Sequence, residues 1–189
     1  MTVTKPRTGR EPVPDHELVA RFRAGDEQAF TALYERYNAR ITSYAARLLG
    51  AREEGEEMCT EAFLRVVQGR VKPTGSFRAY LFTVVHRLCI DRLRWRGRRD
   101  RVLQLIGRAP PEREDIELRT ATNERQRHLH RAIARLSTHH QAVVLLTYVE
   151  GLTSPEAAEV LGWTDQQVRS KLAYARRLLR RELEGLNDG

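Results

Sequence analysis

The feature that most narrows what this chain can fold into is periodic. Phe30, Leu33, Tyr34, Tyr37, Ile41, Tyr44, Ala45 and Leu48 recur at three- and four-residue steps as far as Gly50, the spacing that gathers apolar groups into one stripe of an α-helix. A second stripe runs through Met58, Cys59, Ala62, Phe63, Val66 and Val67 to a stop near Gly69, and a third through Tyr80, Leu81, Val84, Val85, Leu88, Cys89 and Leu93. Three such stripes suffice for a small helical bundle. Lys72-Pro73-Thr74-Gly75-Ser76, between the second and third, is turn chemistry. Strand-like alternation bounded by hairpin turns is absent, so the fold class is all-α.

The stripes also divide the chain. Residues 1–14 mix Thr, Lys, Arg, Gly and Pro without a period and read as a disordered basic arm. Residues 15–97 form the first helical domain. Residues 98–122, with Arg-Arg-Asp-Arg, a short apolar patch and Ala109-Pro110-Pro111, sustain no period and read as a flexible linker. Residues 123–189 form a second helical domain, with one helix through Leu129, Ile133 and Leu136, another through Val143, Val144, Leu146 and Tyr148, and two short ones flanking Gly162.

Charge points to a partner. The chain of 189 residues carries a formal net charge of +8, which favours a polyanion, with nucleic acid ahead of an anionic membrane. Of its 33 basic residues only Lys5, Lys72 and Lys171 are lysines. Arginine suits bidentate phosphate and base contacts, although a GC-rich genome gives the same bias. No apolar run is long enough to span a bilayer and no signal-peptide core follows the basic N-terminus, so a cytosolic protein is expected. Cys59 and Cys89 are too few for a tetrathiolate metal site and read as small buried hydrophobes. The six histidines do not form H-E-x-x-H, and no phosphate-cradling glycine loop occurs. No catalytic residue, metal or cofactor is expected; the histidines read as surface or capping residues.

The sharpest local signal lies between Gly151 and Val168. Thr153 and Glu156 fit a capping box with Pro155 in the first turn, Thr164 and Gln167 fit another, and Gly162 stands where a helix would end left-handed. Two helices joined so tightly make a helix-turn-helix unit, whose second helix enters the DNA major groove. In that helix Val168, Leu172, Ala175 and Leu179 make the inner stripe. Arg169, Ser170, Lys171, Arg176, Arg177, Arg180 and Arg181 lie outward, with no acid after them until Glu182. An ordinary solvated helix would intersperse carboxylates. On this rotation Arg169, Ser170 and Ala173 face base edges, and Lys171, Arg176, Arg177 and Arg180 mainly hold phosphates.

Two further patches leave alternatives open. Tyr80 and Phe82 precede a basic concentration at Arg92, Arg94, Arg96, Arg98, Arg99 and Arg101, interrupted by Trp95. Aromatics among arginines suit single-stranded DNA, where bases stack while cations follow the backbone, yet Tyr80 and Trp95 serve equally well as core. Glu53, Glu54, Glu56, Glu57 and Glu61 form a dense acidic patch, which fits either a solvated face or a surface for a basic protein.

Taken in order, RAGDEQAFTALYERY, EEMCTEAFLRVV, SFRAYLFTVVHRLCIDRLR and LHRAIARLSTHHQAVVLLTYVEGLTSPEAAEVLGWTDQQVRSKLAYARRLLRREL resemble the extracytoplasmic-function class of sigma-70 family transcription initiation factors, over nearly all of residues 15–186. The resemblance implies that the first domain is sigma region 2 and the second region 4. It implies core RNA polymerase and promoter DNA as partners, with control by a separate anti-sigma factor as a family expectation. The acidic helix would then dock on the polymerase through Glu53, Glu56, Glu57, Met58, Glu61 and Phe63. Tyr80, Arg87, Asp91, Arg94 and Trp95 would lie at the melted −10 element. Thr164, Gln167, Arg169, Ser170, Lys171, Ala173, Tyr174, Arg176, Arg177 and Arg180 would lie at the −35 element. Arg87 stands where such factors often carry Asn, Tyr174 replaces a commonly basic residue, and Gly55 should weaken its helix by about 0.5–1 kcal/mol relative to Ala. The rival is a helix-turn-helix repressor or activator acting apart from polymerase. It would normally need a sensor domain or a dimer helix, whereas the N-terminal bundle here pairs an acidic face with an aromatic and arginine-rich one, which suits polymerase and melted DNA.

Overall fold

The computed structural model describes residues 13–69, 76–105 and 124–184; the expectations for most of the N-terminal arm, the turn at 72–75 and the linker beyond residue 105 fall outside them. Among the described residues the chain is helical, with no strand. The stretch expected as the first domain holds α1 (Asp15–Arg23), α2 (Glu27–Leu49), α3 (Arg52–Val67) and α4 (Phe77–Leu105). The stretch expected as the second holds α5 (Glu124–Ala134), α6 (Thr138–Val144), a π-helix over Leu145–Val149, α7 (Ser154–Leu161) and α8 (Asp165–Glu184).

Local chemistry sets most helix ends. Asp26 caps α2 by accepting from the backbone N–H of Gln28 at 3.0 Å and of Ala29 at 3.2 Å, satisfying donors that have no partner inside the helix. Gly50 closes α2 at φ 75°, a conformation that L side chains resist. The helix stripe then does the packing: Leu33, Tyr37, Ile41, Tyr44 and Ala45 of α2 are buried, with α3 and α4 laid against them.

Gly55, expected only to weaken α3, has a packing reason. A Cβ there would sit 2.7 Å from the Thr42 carbonyl oxygen and 2.8 Å from the backbone nitrogen and Cβ of Ala46. The missing side chain is what lets α3 lie this close to α2.

Two other expectations change. Residues 98–105, read as the start of a linker, continue α4 straight through Gly97. This stretch lacks an apolar stripe and is held by other means: Arg96 donates to the Leu49 carbonyl at 2.8 Å and pairs with Glu54, and Arg99 lies 5.1 Å over the Trp95 ring, one helical turn away. The helix after Gly162, first grouped with its short neighbour, runs for 20 residues, as its stripe to Leu179 requires.

The domains also touch. α7 packs along α4 and α6 meets α2, and the buried side chains of both domains join in one contiguous cluster. This explains a peculiarity of α4, whose first half is buried at Phe77, Ala79–Phe82 and Val84–His86, with no solvent-facing stripe. It lies between the first-domain helices on one side and α7 on the other.

Candidate nucleic-acid and polymerase interfaces

The helix-turn-helix unit is built as its sequence suggests. Thr153 Oγ1 accepts from the Glu156 N–H at 3.4 Å while Glu156 Oε2 accepts from the Thr153 N–H at 2.8 Å. At the next helix start, Thr164 Oγ1 accepts from the Gln167 N–H at 3.2 Å and Gln167 Oε1 accepts from the Thr164 N–H at 2.8 Å. Gly162 turns left-handed at φ 68°, and the Trp163 N–H reaches back to the Ala158 carbonyl at 2.9 Å. Each of these bonds satisfies a helix-end group. Together they fix the angle at which α8 leaves α7.

α8 has a clear inside and outside. Val168 and Ala175 are fully buried, and Leu172 and Leu179 pack against the core. Arg169, Ser170, Ala173, Tyr174, Arg176, Arg177 and Arg180 are exposed. Thr164, Gln167, Ser170 and Lys171 line a shallow groove over the first turns, together with Gln166. Gln166 is absent from the sequence expectation. Its helical position one turn before Ser170 was the available signal.

Several of these side chains are restrained in the free protein. Arg169, expected to be unpaired, bonds to Asp165 one turn earlier, because the carboxylate lies just ahead of the stretch that appeared free of acids. Lys171 sits 5.2 Å over the Trp163 ring, which is itself 5.5 Å from His139. Tyr174 lies 4.9 Å from the His140 ring and beneath Arg177 at 5.6 Å. Arg176 and Arg180 make no ion pair among the described residues.

On α4, Arg87, Asp91 and Arg94 are exposed and their spacing puts them on one helix face. Asp91 and Arg94 pair at 3.6 Å, and Trp95, adjoining them, is 51% exposed. Tyr80 differs. It is 9% exposed with its ring 6.3 Å from Phe77, and burial pushes its hydroxyl above the usual tyrosine range. Of the two aromatics, Tyr80 is core and Trp95 is surface. The arginines also separate, because Arg92 bonds Glu57 at 2.9 Å and Arg96 pairs with Glu54, both turned toward α3.

On α3, Glu53, Glu56 and Glu57 are exposed and Glu61 is half-exposed. Met58 and Phe63, expected at the docking surface, are core residues at 6% and 3% exposure. Met58 forms only the floor of an open groove between α3 and α4, with Glu57, Glu61, Leu88, Asp91, Arg92 and Trp95 around it. Phe63 is held by ring contacts to Tyr34 at 4.8 Å and Phe30 at 6.0 Å. The apolar groups that do reach the surface beside it are Leu64, Val67 and Tyr34. The stripes assign Tyr34 and Val67 to the interior, and Leu64 lies outside them.

His86 is another departure, since it is buried rather than on the surface or at a cap. Its Nδ1 is 2.8 Å from the Tyr44 hydroxyl, and burial, with His139 and Arg87 nearby, lowers its pKa to about 4. It is a neutral core residue.

The comparisons with known proteins cover both domains. A family model described as Sigma-70 region 2 matches residues 33–99, and one described as Sigma-70, region 4 matches residues 126–179. The chain is 30% identical over 187 residues to the ECF RNA polymerase sigma factor SigM of Mycobacterium tuberculosis H37Rv, spanning 96% of this chain and 90% of that protein. It is 31% identical over 169 residues to SigL of the same strain, spanning 86% of this chain and 93% of that protein. Among solved structures, CnrH in complex with the cytosolic domain of CnrY gives a TM-score of 0.66 at 23% identity, over 90% of this chain and 97% of that one. The sigma factor RpoE in complex with the anti-sigma factor NepR from Bartonella quintana gives 0.65 at 17%, over 82% and 96%. These two likenesses concern the fold.

Proposed function

Because the chain belongs to the extracytoplasmic-function sigma factors of the sigma-70 family, which direct RNA polymerase to promoters, we propose a division of that work among three of its helices. α8 reads the −35 element. The outer face of α4, with Arg87, Asp91, Arg94 and Trp95, holds the opened −10 strand. α3 docks on the polymerase. The observation that carries this reading is the two-sided build of α8, clamped at its start by Thr164 and Gln167, buried along Val168 and Ala175, and cationic outside.

At −35, Ser170, Ala173 and Gln166 approach base edges with Arg169, which exchanges Asp165 for DNA. Arg176, Arg177 and Arg180 anchor phosphates. On α3 the contact is mixed, with Glu53, Glu56, Glu57 and Glu61 meeting a basic surface while Leu64, Val67 and Tyr34 supply the apolar part. The protein acts in the cytosol by binding and positioning rather than by catalysing a reaction. The two solved structures named above are complexes, one with a named anti-sigma factor, and we extend that class of partner to this chain. Family matches across both domains favour this reading over a repressor or activator built on the second domain alone.

Runoff transcription with core polymerase tests the scheme. Reversing Glu56 and Glu57 to lysine should weaken competition for core by tenfold or more. Stability should change little, because their partners Arg52 and Arg92 form exposed pairs, and such pairs are worth about 0–1 kcal/mol. Equal competition by the reversed protein would remove α3 from the docking site.

A further inference from the structure

The seam between the domains contains a group that packing alone does not require. Glu150, after the π-helix of the second domain, has a side chain only 4% exposed. Its Oε2 accepts from Arg40 Nε at 2.8 Å, and its carbonyl accepts from Arg40 Nη2 at 3.0 Å. Arg78 and Arg47 also lie close enough to oppose the rise in its pKa that burial causes. One arginine of α2, Arg40, thus holds the carboxylate directly, and the charges of Arg47 and Arg78 favour its ionised form. Beside them Gln141 of α6 donates to the Arg47 carbonyl at 3.0 Å.

The π-helix aims this carboxylate. The Glu150 N–H bonds to the Leu145 carbonyl, five residues back, at 2.9 Å. The wider turn shifts the register of the residues beyond it, and such turns are frequent at functional sites. Tyr148 and Val149 are left exposed while Glu150 enters the seam.

This seam conflicts with promoter reading. Elements centred near −35 and −10 lie about 25 base pairs apart, roughly 85 Å of duplex at about 3.4 Å per step. Packed helices stand about 8–10 Å apart. With α8 on α7 and α7 on α4, the two readers are held within a few helix diameters. The closed chain cannot place both on their elements.

We propose that Glu150, bound through its carboxylate and its carbonyl by Arg40, is a latch that holds the free sigma factor closed, and that core polymerase binds the opened form. The inference rests on the assignment of the two elements to the two domains. Removing Arg40 leaves a buried carboxylate uncompensated, and removing the Glu150 charge frees the half-exposed Arg40 to return to solvent, so each change should loosen the seam. A partner that binds only the open form sees its apparent affinity reduced by the closed fraction, and releasing the latch removes that reduction.

The test compares the full chain with Glu150→Gln and Arg40→Ala, which attack the latch from opposite sides so that one remains if the other fails to fold. Far-UV circular dichroism checks folding, X-ray scattering gives the radius of gyration, and titration against core polymerase gives the concentration for half-maximal runoff transcription. Both variants should keep their helicity, expand, and reach half-maximal transcription at roughly tenfold lower concentration. An unchanged radius in the folded variants overturns the latch. So does expansion without a gain at limiting concentration, which would make the contact architectural. Failure of the wild-type chain to direct promoter-specific transcription would instead break the functional reading, while the radii still report on the seam.

Discussion

α4 and α8 look alike in sequence, as long helices rich in arginine with an aromatic residue among the cations. Their surroundings differ. In α4, Arg92 and Arg96 are taken up by Glu57 and Glu54 of α3, Arg94 pairs with Asp91, and Arg99 covers Trp95. In α8, Arg176 and Arg180 meet no carboxylate among the described residues, and Arg169 alone among the outward cations of the first turns pairs with an acid. A count of basic residues overstates the unpaired positive charge on α4 and is nearly right for α8. What matters is whether a neighbouring helix brings acids to the same face.

Three measurements would break or sharpen this contrast. The largest effect is expected at Gly55, whose close approach seats α3 and its acids against the bundle. Gly55→Ala improves helix propensity yet drives a Cβ into the Thr42 carbonyl and Ala46, so thermal or urea unfolding should show a loss of about 1–3 kcal/mol. A gain in stability would mean that α3 shifts freely, and that its grip on the α4 arginines is incidental.

Next comes Arg169. Arg169→Ala should cost about 1–3 kcal/mol on the preferred −35 sequence and relax preference at one base pair, as read from binding to a panel of single substitutions. A uniform loss with preference intact would show that the side chain stays with Asp165 and that base readout falls to Gln166, Ser170 and Ala173.

The smallest effect concerns salt. Arg177→Ala should lower the slope of log affinity against log salt by about one unit, whereas Arg96→Ala should leave that slope unchanged because its guanidinium belongs to Glu54 and the Leu49 carbonyl. Equal slopes for the two variants would erase the distinction between the helices.

Much of this is legible in the sequence for a physical reason: helix stripes and caps are local. The runs from Phe30 to Leu48 and from Met58 to Val67, the stops at Gly50 and Gly69, and both capping boxes depend on groups within a few turns of one another. The proposed docking surface is harder to read, since a stripe groups Met58, Phe63 and Val67 as apolar but does not say which of them a neighbour covers. The continuation of α4 past Gly97 leaves no periodic signal, because its support is an acid on another helix and a cation over a ring.

The sequence by itself determined an all-helical chain, the helix-turn-helix with its caps, the cationic outer face of α8 and the ordered motifs of its family. These arise from periodicity, end chemistry and residue type, which act over short stretches of chain. Tertiary structure alone decided that Tyr80 goes inside while Trp95 stays out, and that Gly55 is a contact rather than a weakness. It also decided that Arg92 and Arg96 are neutralised and that Glu150 is buried among arginines 72 to 110 residues away in sequence. Each of these depends on what another helix brings to the same few ångströms, and burial, close approach and charge pairing are properties of that meeting rather than of either segment alone.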